Sequence, residues 1–253
     1  MKPIIEDFLS EALAALTNGR NRDPFSVLGP RPDEEGRGTV VRAFHPAARS
    51  IELRLVDTGE LRPMTRRDPG GIFEAFIEHE RAGRWQAPDY RLRLAFPGNH
   101  VLEVDDPYRY GRVLTDFDLH LFGEGTHKRA YDKLGAHRLR IGPTAGVHFA
   151  VWAPNADRVS VVGDFNGWDG RVHPMRLLVP AGIWEIFIPE LPDGEKYKFE
   201  IRTPGGALLK KADPFGFTSE LRPNTASALS RYARTICRSV AHPAGVSGTT
   251  SSS

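Results

Sequence analysis

Among the 253 residues there is one cysteine, Cys237. A single thiol excludes an internal disulfide framework and suits a reducing compartment. Neither sign of charge is in excess: 34 basic residues face 32 acidic ones, a net +2. No strong field therefore points at nucleic acid or an anionic membrane, and neither is expected as a partner. The sequence pI of 8.7 reflects arginine usage rather than a basic patch. No apolar run approaches the roughly 20 residues of a membrane span, and the N-terminus lacks the features of a secretory signal. The expected location is cytoplasmic. Catalytic signatures are missing as well: no glycine-rich phosphate loop, no Walker loop, no His-Glu-x-x-His, no Cys-x-x-Cys and no Gly-x-Ser-x-Gly. The nine histidines are scattered without metal-ligand spacing, so no metal and no cofactor is expected. His127 and His137, flanking a connector, read as polar contacts at an interface. Carboxylates are plentiful, but most read as solvent positions of strands or turns, and no glycosidase-like pair can be picked from them. No catalytic residue is expected.

What is present is ordinary globular composition, 40% hydrophobic and 26% charged, in a chain long enough for two cores. Residues 1–22 place Ile4, Ile5, Phe8, Leu9, Ala12, Leu13 and Leu16 at helical spacing, with Asn18-Gly19 as a stop. From Asp23 the period becomes two. Ile51, Leu53 and Leu55 alternate with polar neighbours, as do Tyr90, Leu92, Leu94 and Phe96. The same grammar returns in Val147, Phe149 and Val151 and again in Tyr197, Phe199 and Ile201. Landmarks recur in order. GIFEAFI (71–77) answers GIWEIFI (182–188), and DDPYRY (105–110) answers ADPFGF (212–217). The offsets are 108 residues for Phe44 and Trp152, 111 for Phe73 and Trp184, and 107 for Tyr90 and Tyr197. Each copy has about the length of an immunoglobulin-like sandwich of roughly 100 residues. The expected fold class is all-β: two tandem immunoglobulin-like β-sandwiches with a short N-terminal helix and a helical connector. The expected boundaries are 1–22 for the helix, 23–111 for the first sandwich, 112–140 for the connector and 141–229 for the second sandwich. Residues 230–253 have no period and read as a disordered tail.

One stretch of the second copy stands out. VVGDFNGWDGR (161–171) puts Asn166-Gly167, a strong hairpin signal, directly before Trp168. An exposed indole on a sandwich can stack on the apolar C–H face of a pyranose, while nearby amide and ammonium groups hydrogen-bond its hydroxyls. Trp168, Asn166 and Lys198 have the right chemistry. The alternative is that Trp168 folds onto the sandwich edge and Lys198 only solubilises. Trp152 and Trp184 lie within strands and read as core or domain-interface residues.

GVHFAVWAPNADRVSVVGDFNGWDGRVHPM (146–175), GIWEIFIPELPDGEKYKFEI (182–201) and KKADPFGFTSELRPNTAS (210–227) resemble the family-48 carbohydrate-binding module. DLHLFGEGTHKRAYDKLGAH (118–137) resembles the connector of bacterial 1,4-α-glucan branching enzymes. DPFSVLGPR (23–31), VRAFHPAA (41–48) and DPYRYG (106–111) are similar to their additional N-terminal sandwich. The resemblance covers roughly residues 20–229. It implies a glycogen-forming activity that moves an α-1,4-glucan segment to a 6-hydroxyl, with the chemistry on a (β/α)₈ barrel. No position of this chain corresponds to that barrel's carboxylates, so these residues are expected to be non-catalytic alone. Such an ending is expected from a frameshift or premature termination. The implied partners are α-1,4-glucan (glycogen or maltooligosaccharide), held weakly, and the barrel as a docking partner. Trp168 and Lys198 fall on positions similar to the first stacking tryptophan and the lysine of glucan-binding modules. A second stacking aromatic is implied near Ala207–Leu209, where this chain has Ala207, Leu208 and Leu209. Two other readings stay open: a free-standing glucan-binding protein, and an interaction scaffold that contacts no sugar.

Overall fold

Period-two alternation of apolar side chains resolves into four sheets, antiparallel but for one short edge pairing, packed as two sandwiches. The computed structural model describes residues 2–78, 85–221, 223–230 and 236–237. A helix α1 (Lys2–Thr17) leads the chain and ends where expected, the Gly19 and Arg20 amides bonding back to the Leu16 and Ala15 carbonyls at 3.0 and 2.7 Å. The first sandwich follows as β1 (Gly29–Pro32), β2 (Gly38–Phe44), β3 (Ser50–Leu55), β4 (Leu61–Pro63), β5 (Thr65–Asp68), β6 (Ile72–Glu78), β7 (Tyr90–Ala95) and β8 (Val101–Val104). Its sheets are ordered β1-β2-β6-β5 and β4-β3-β7-β8. Val41, Ala43, Phe73 and Ala75 of one meet Ile51, Leu53, Tyr90 and Leu92 of the other.

A connector then carries α2 (Asp116–Gly123), started by Thr115, whose hydroxyl and backbone amide exchange bonds with Asp118. The second sandwich comprises β9 (Gly135–Ile141), β10 (Thr144–Trp152), β11 (Arg158–Gly163), β12 (Arg176–Leu178), β13 (Ile183–Pro189), β14 (Lys196–Arg202), β15 (Leu208–Lys211), β16 (Thr218–Ser219), β17 (Ser227–Ala228) and β18 (Ile236–Cys237). One sheet runs β12-β13-β10-β9-β18; in the other, β14 lies between β11 and β17 and also pairs with β15. The expected connector boundary of 140 moves back to Leu134, because β9 pairs with β10 from Gly135 onward. Most of the expected tail lies outside the described residues, as do the side chains of Ile4, Ile5 and Phe8. Within it, Ile236–Cys237 pairs in parallel with Leu139–Arg140.

The repeat extends to single bonds. Phe44 opposes Ile72 across β2 and β6, and Trp152 opposes Ile183 at the equivalent place across β10 and β13. Tyr90 donates to Asp106 Oδ2 at 2.6 Å, and Tyr197 donates to Asp213 Oδ2 at 2.5 Å. In both copies the other carboxylate oxygen accepts a backbone amide two residues on, Tyr108 and Phe215. An identical buried bond at an offset of 107 residues is a signature of duplication, since packing alone does not require it.

The copies differ in what covers them. Phe44 and Ile72 are buried in one apolar cluster with Leu16, Leu28 and Tyr108 and with the inward residues of the second sandwich, among them Phe149 and Trp184. Trp184 is thus core, as expected. Trp152 is not: it is 61% exposed, its indole Nε1 donating to the Ala181 carbonyl at 3.1 Å, and Val179 is 72% exposed. The outer face it shares with Ala150 and Ile183 is covered by Leu114 and Leu119 of the connector, and that cover stops short of Trp152.

The clamp on that face is Glu185. It is fully buried, and its Oε1 accepts from the Val113 amide at 3.1 Å and from Arg176 at 3.0 Å. Its Oε2 accepts from the Leu114 amide at 3.0 Å and from His148 Nε2 at 2.9 Å. Burial opposes its charge, but the His148 bond, the Arg176 guanidinium and the Leu114 amide outweigh that and hold its carboxyl below the usual range. Glu185 is thus an exception to the solvent positions expected of most carboxylates, as is Glu200, buried against Arg158 at 2.5 Å. His127 stacks on Phe122 with centroids 4.3 Å apart, and His137 Nε2 bonds the Leu134 carbonyl at 2.9 Å, both inside the connector contact.

Candidate functional site

Alternation along β14 sends Tyr197, Phe199 and Ile201 inward and Lys198, Glu200 and Arg202 outward, and the outward row is the floor of the candidate site. Residues 164–175 run over this floor. They do not form a tight two-residue hairpin at Asn166-Gly167: the chain returns antiparallel to β11 only at residues 173–175, where Ser160 is bridged to Pro174 and the Val161 amide donates to the His173 carbonyl at 3.1 Å, before passing into β12 of the other sheet. Asp164–Asn166 is instead a single helical turn, and the positive φ falls on Gly167 (+62°) and Trp168 (+60°). For a bulky aromatic this conformation costs on the order of 1 kcal/mol. The surroundings hold it there: the Trp168 amide donates to the Gly163 carbonyl at 2.9 Å, the indole Nε1 donates to Asp164 Oδ1 at 2.8 Å, and Lys210 Nζ donates to the Trp168 carbonyl at 2.9 Å. Two residues on, the chain lies so close to Glu200 that a Cβ on Gly170 would fall 1.9 Å from its carboxylate, so only glycine fits.

The result is a groove of about 440 Å³ with the half-buried Trp168 on one side. Thr17 and Asn18, the last turn of α1, form the opposite wall, and Arg171, Arg202 and Leu208 complete the rim. Leu208 is 56% exposed and stands where the second aromatic was sought. Arg202 is tied to the helix end through the Asn18 carbonyl at 3.3 Å. Under the loop, burial lowers the Arg158 pKa, while the Arg171 bond holds the Asp169 carboxyl below its usual value. Glu200 is committed to Arg158. The groove offers an apolar ring, an exposed aliphatic side chain and several cationic and amide donors, which is equipment for binding rather than bond breaking.

The three expected site residues fare differently. Trp168 lines the groove. Lys198 lies on the same outward row but outside the groove, its ammonium donating to Thr225 Oγ1 at 2.8 Å. The structure does not leave Asn166 free for a ligand. Its Oδ1 accepts from the Gly163 amide, and its Nδ2 donates to the Val161 carbonyl and to His173 Nδ1, each at 2.9 Å, so both amide protons are spent on the loop. Sequence reasoning missed Arg171, Arg202 and the α1 terminus. Only the last is distant in sequence, and no local pattern brings it there.

Among the described residues no group of three or more His, Cys, Asp or Glu could hold a metal ion, and no helix is long and apolar enough to cross a membrane. Comparison with known families matches residues 133–216 to carbohydrate-binding module 48 (isoamylase N-terminal domain). Residues 9–108 match the alpha-1,4-glucan branching enzyme GlgB, N-terminal domain. The chain is 50% identical over 216 residues to the 1,4-alpha-glucan branching enzyme GlgB of Paramagnetospirillum magneticum, covering 85% of this chain and 28% of that one. The Pseudomonas aeruginosa enzyme of the same name is 47% identical over 216 residues, with 85% and 29% covered. That of Rhodopseudomonas palustris is 46% identical over 244 residues, with 96% and 32% covered. The chain thus spans about three-tenths of the length of these relatives.

Proposed function

Since the chain belongs, through residues 9–108 and 133–216, to the N-terminal region of the glycogen branching enzymes, we propose that it is the glucan-contacting part of such an enzyme. The activity it serves is transfer of an α-1,4-glucan segment to a 6-hydroxyl, performed by residues outside this region. Its own task is to hold a glucan chain weakly in the Trp168 groove. The observation that carries this reading is the strained, half-exposed Trp168 beside Leu208 and Arg171, within the residues that match a carbohydrate-binding module. One aromatic plane rather than two accounts for the weakness. A ring contact of this kind contributes about 1 kcal/mol beyond its buried area, or roughly fivefold in affinity.

Glycogen co-sedimentation tests it. The wild-type chain is expected to be retained weakly, and Trp168→Ala to lose most of that retention. Equal retention of both proteins would refute the groove, and tight retention of the wild type would refute its weakness.

A second reading concerns docking, and Trp152 and Val179 favour it. Their counterpart in the first copy, Phe44, is covered by a neighbouring sandwich, so the exposed face in the second copy fits a further module, the barrel that the relatives' greater length implies.

A further inference from the structure

The loop that carries Trp168 has a second side. Phe165 and His173, which do not line the groove, line instead a larger cleft of about 600 Å³ between the two sandwiches. The opposite wall belongs to the first sandwich. There His45 packs edge-on against Phe96 with centroids 5.0 Å apart, and Phe96 stacks on His100 at 5.8 Å. On the loop side Phe165 and His173 lie 5.6 Å apart.

The donors fix the state of the two inner histidines. Asn166 Nδ2 donates to His173 Nδ1, and the Ala47 amide donates to His45 Nδ1 at 3.3 Å. Both rings therefore accept at Nδ1 and carry their proton on Nε2. Burial holds both in the neutral form, with the His173 pKa pushed down to about 3 and that of His45 lowered. An apolar cleft with aromatic rings on both walls and two fixed N–H donors asks for a ligand with apolar ring faces and acceptor oxygens.

We propose that this cleft is a second carbohydrate site, which takes the end of an α-glucan chain with pyranose faces against Phe96 and Phe165 and hydroxyl oxygens on the Nε2–H groups of His45 and His173. The choice of α-glucan as the sugar rests on the function proposed above, whereas the site itself rests on the cleft. It needs both sandwiches and is independent of Trp168.

The test is imidazole NMR of the chain carrying ¹³C-labelled histidine, titrated with maltotriose in wild-type and Trp168→Ala proteins. The expected result is saturable movement of the His45 and His173 signals in both. Phe96→Ala should weaken that response about tenfold, as the loss of one stacking platform. Phe96 also packs on the first core, so His100→Ala, an exposed change at the rim, provides a second variant; it should weaken the response about threefold. If maltotriose shifts the Trp168 indole but leaves His45 and His173 still, the cleft proposal falls and the groove stands. Shifts of His45 and His173 that persist unchanged in both rim variants also overturn it. If no signal responds, the glucan reading itself fails, and the cleft with it.

Discussion

Replacing Glu185 with leucine removes the acceptor that the connector's first turn, Arg176 and His148 share. The loss can be sized from its partners: two backbone amides, His148, and two nitrogens of Arg176, all within 3.1 Å. Removing one member of a buried ion pair costs about 3–5 kcal/mol, because the partner is left charged and dry. An orphaned backbone amide adds about 1–3 kcal/mol. The terms do not add fully, since the connector can lift and admit water. We expect Glu185→Leu to lose about 4 kcal/mol, a large share of the roughly 5–15 kcal/mol of an ordinary domain. Glu185→Gln, which keeps one carbonyl acceptor in place, should lose about half as much. Urea unfolding followed by tryptophan fluorescence reads the loss, since Trp184 sits in the core beneath. Limited proteolysis reads where it acts, and cleavage should rise within residues 112–134. A Glu185→Leu protein within 1 kcal/mol of wild type would mean that the carboxylate is not the clamp described here. The pH dependence has a definite sign. The folded carboxyl is held below its ordinary value, so its stabilisation is complete above the unfolded value and fades as pH falls towards the folded one.

Trp168→Gly should bind glycogen as poorly as Trp168→Ala yet melt higher, by about 1 kcal/mol in stability, because glycine releases the strain at φ +60°; equal melting points would argue against that strain. Burial opposes the charge of Asp118, but Thr115 and Lys133 hold its pKa at about 2. Its contribution of about 1–2 kcal/mol is therefore present above pH 4 and lost as pH falls towards 2, and Asp118→Asn should flatten unfolding curves in that window. Trp152→Ser should reduce self-association of the chain at high concentration in sedimentation velocity; an unchanged sedimentation profile would show that the exposed indole drives no contact.

Much of the architecture was legible because strand alternation is a local property and the repeat doubled every signal. Ile51, Leu53, Val147 and Phe149 all face inward as their spacing requires. The failures share a cause in non-local geometry. Asn-Gly reports that a positive φ is near, but not that the chain rejoins β11 only at residues 173–175, so the tight turn gives way to a longer loop and the positive φ falls on Gly167 and Trp168. Trp152 lies on the outer side of its strand, and whether that side is covered depends on how far a connector from residues 112–134 reaches. Glu185 was readable in principle. A carboxylate set between Trp184 and Ile186, in a strand whose neighbours are apolar on both faces, has no solvent to point to and must have partners elsewhere in the chain.

The unequal fates of Phe44 and Trp152 bear on how such modules are strung together. A contact between two copies of one unit through the same patch on each would close on itself and leave nothing over. Here the first copy is covered at a position that the second copy leaves bare, so the packing is head to tail. Head-to-tail contacts do not terminate by themselves. Each added unit satisfies the one before it and presents a new bare face, and such a series ends only when a unit of a different kind caps it.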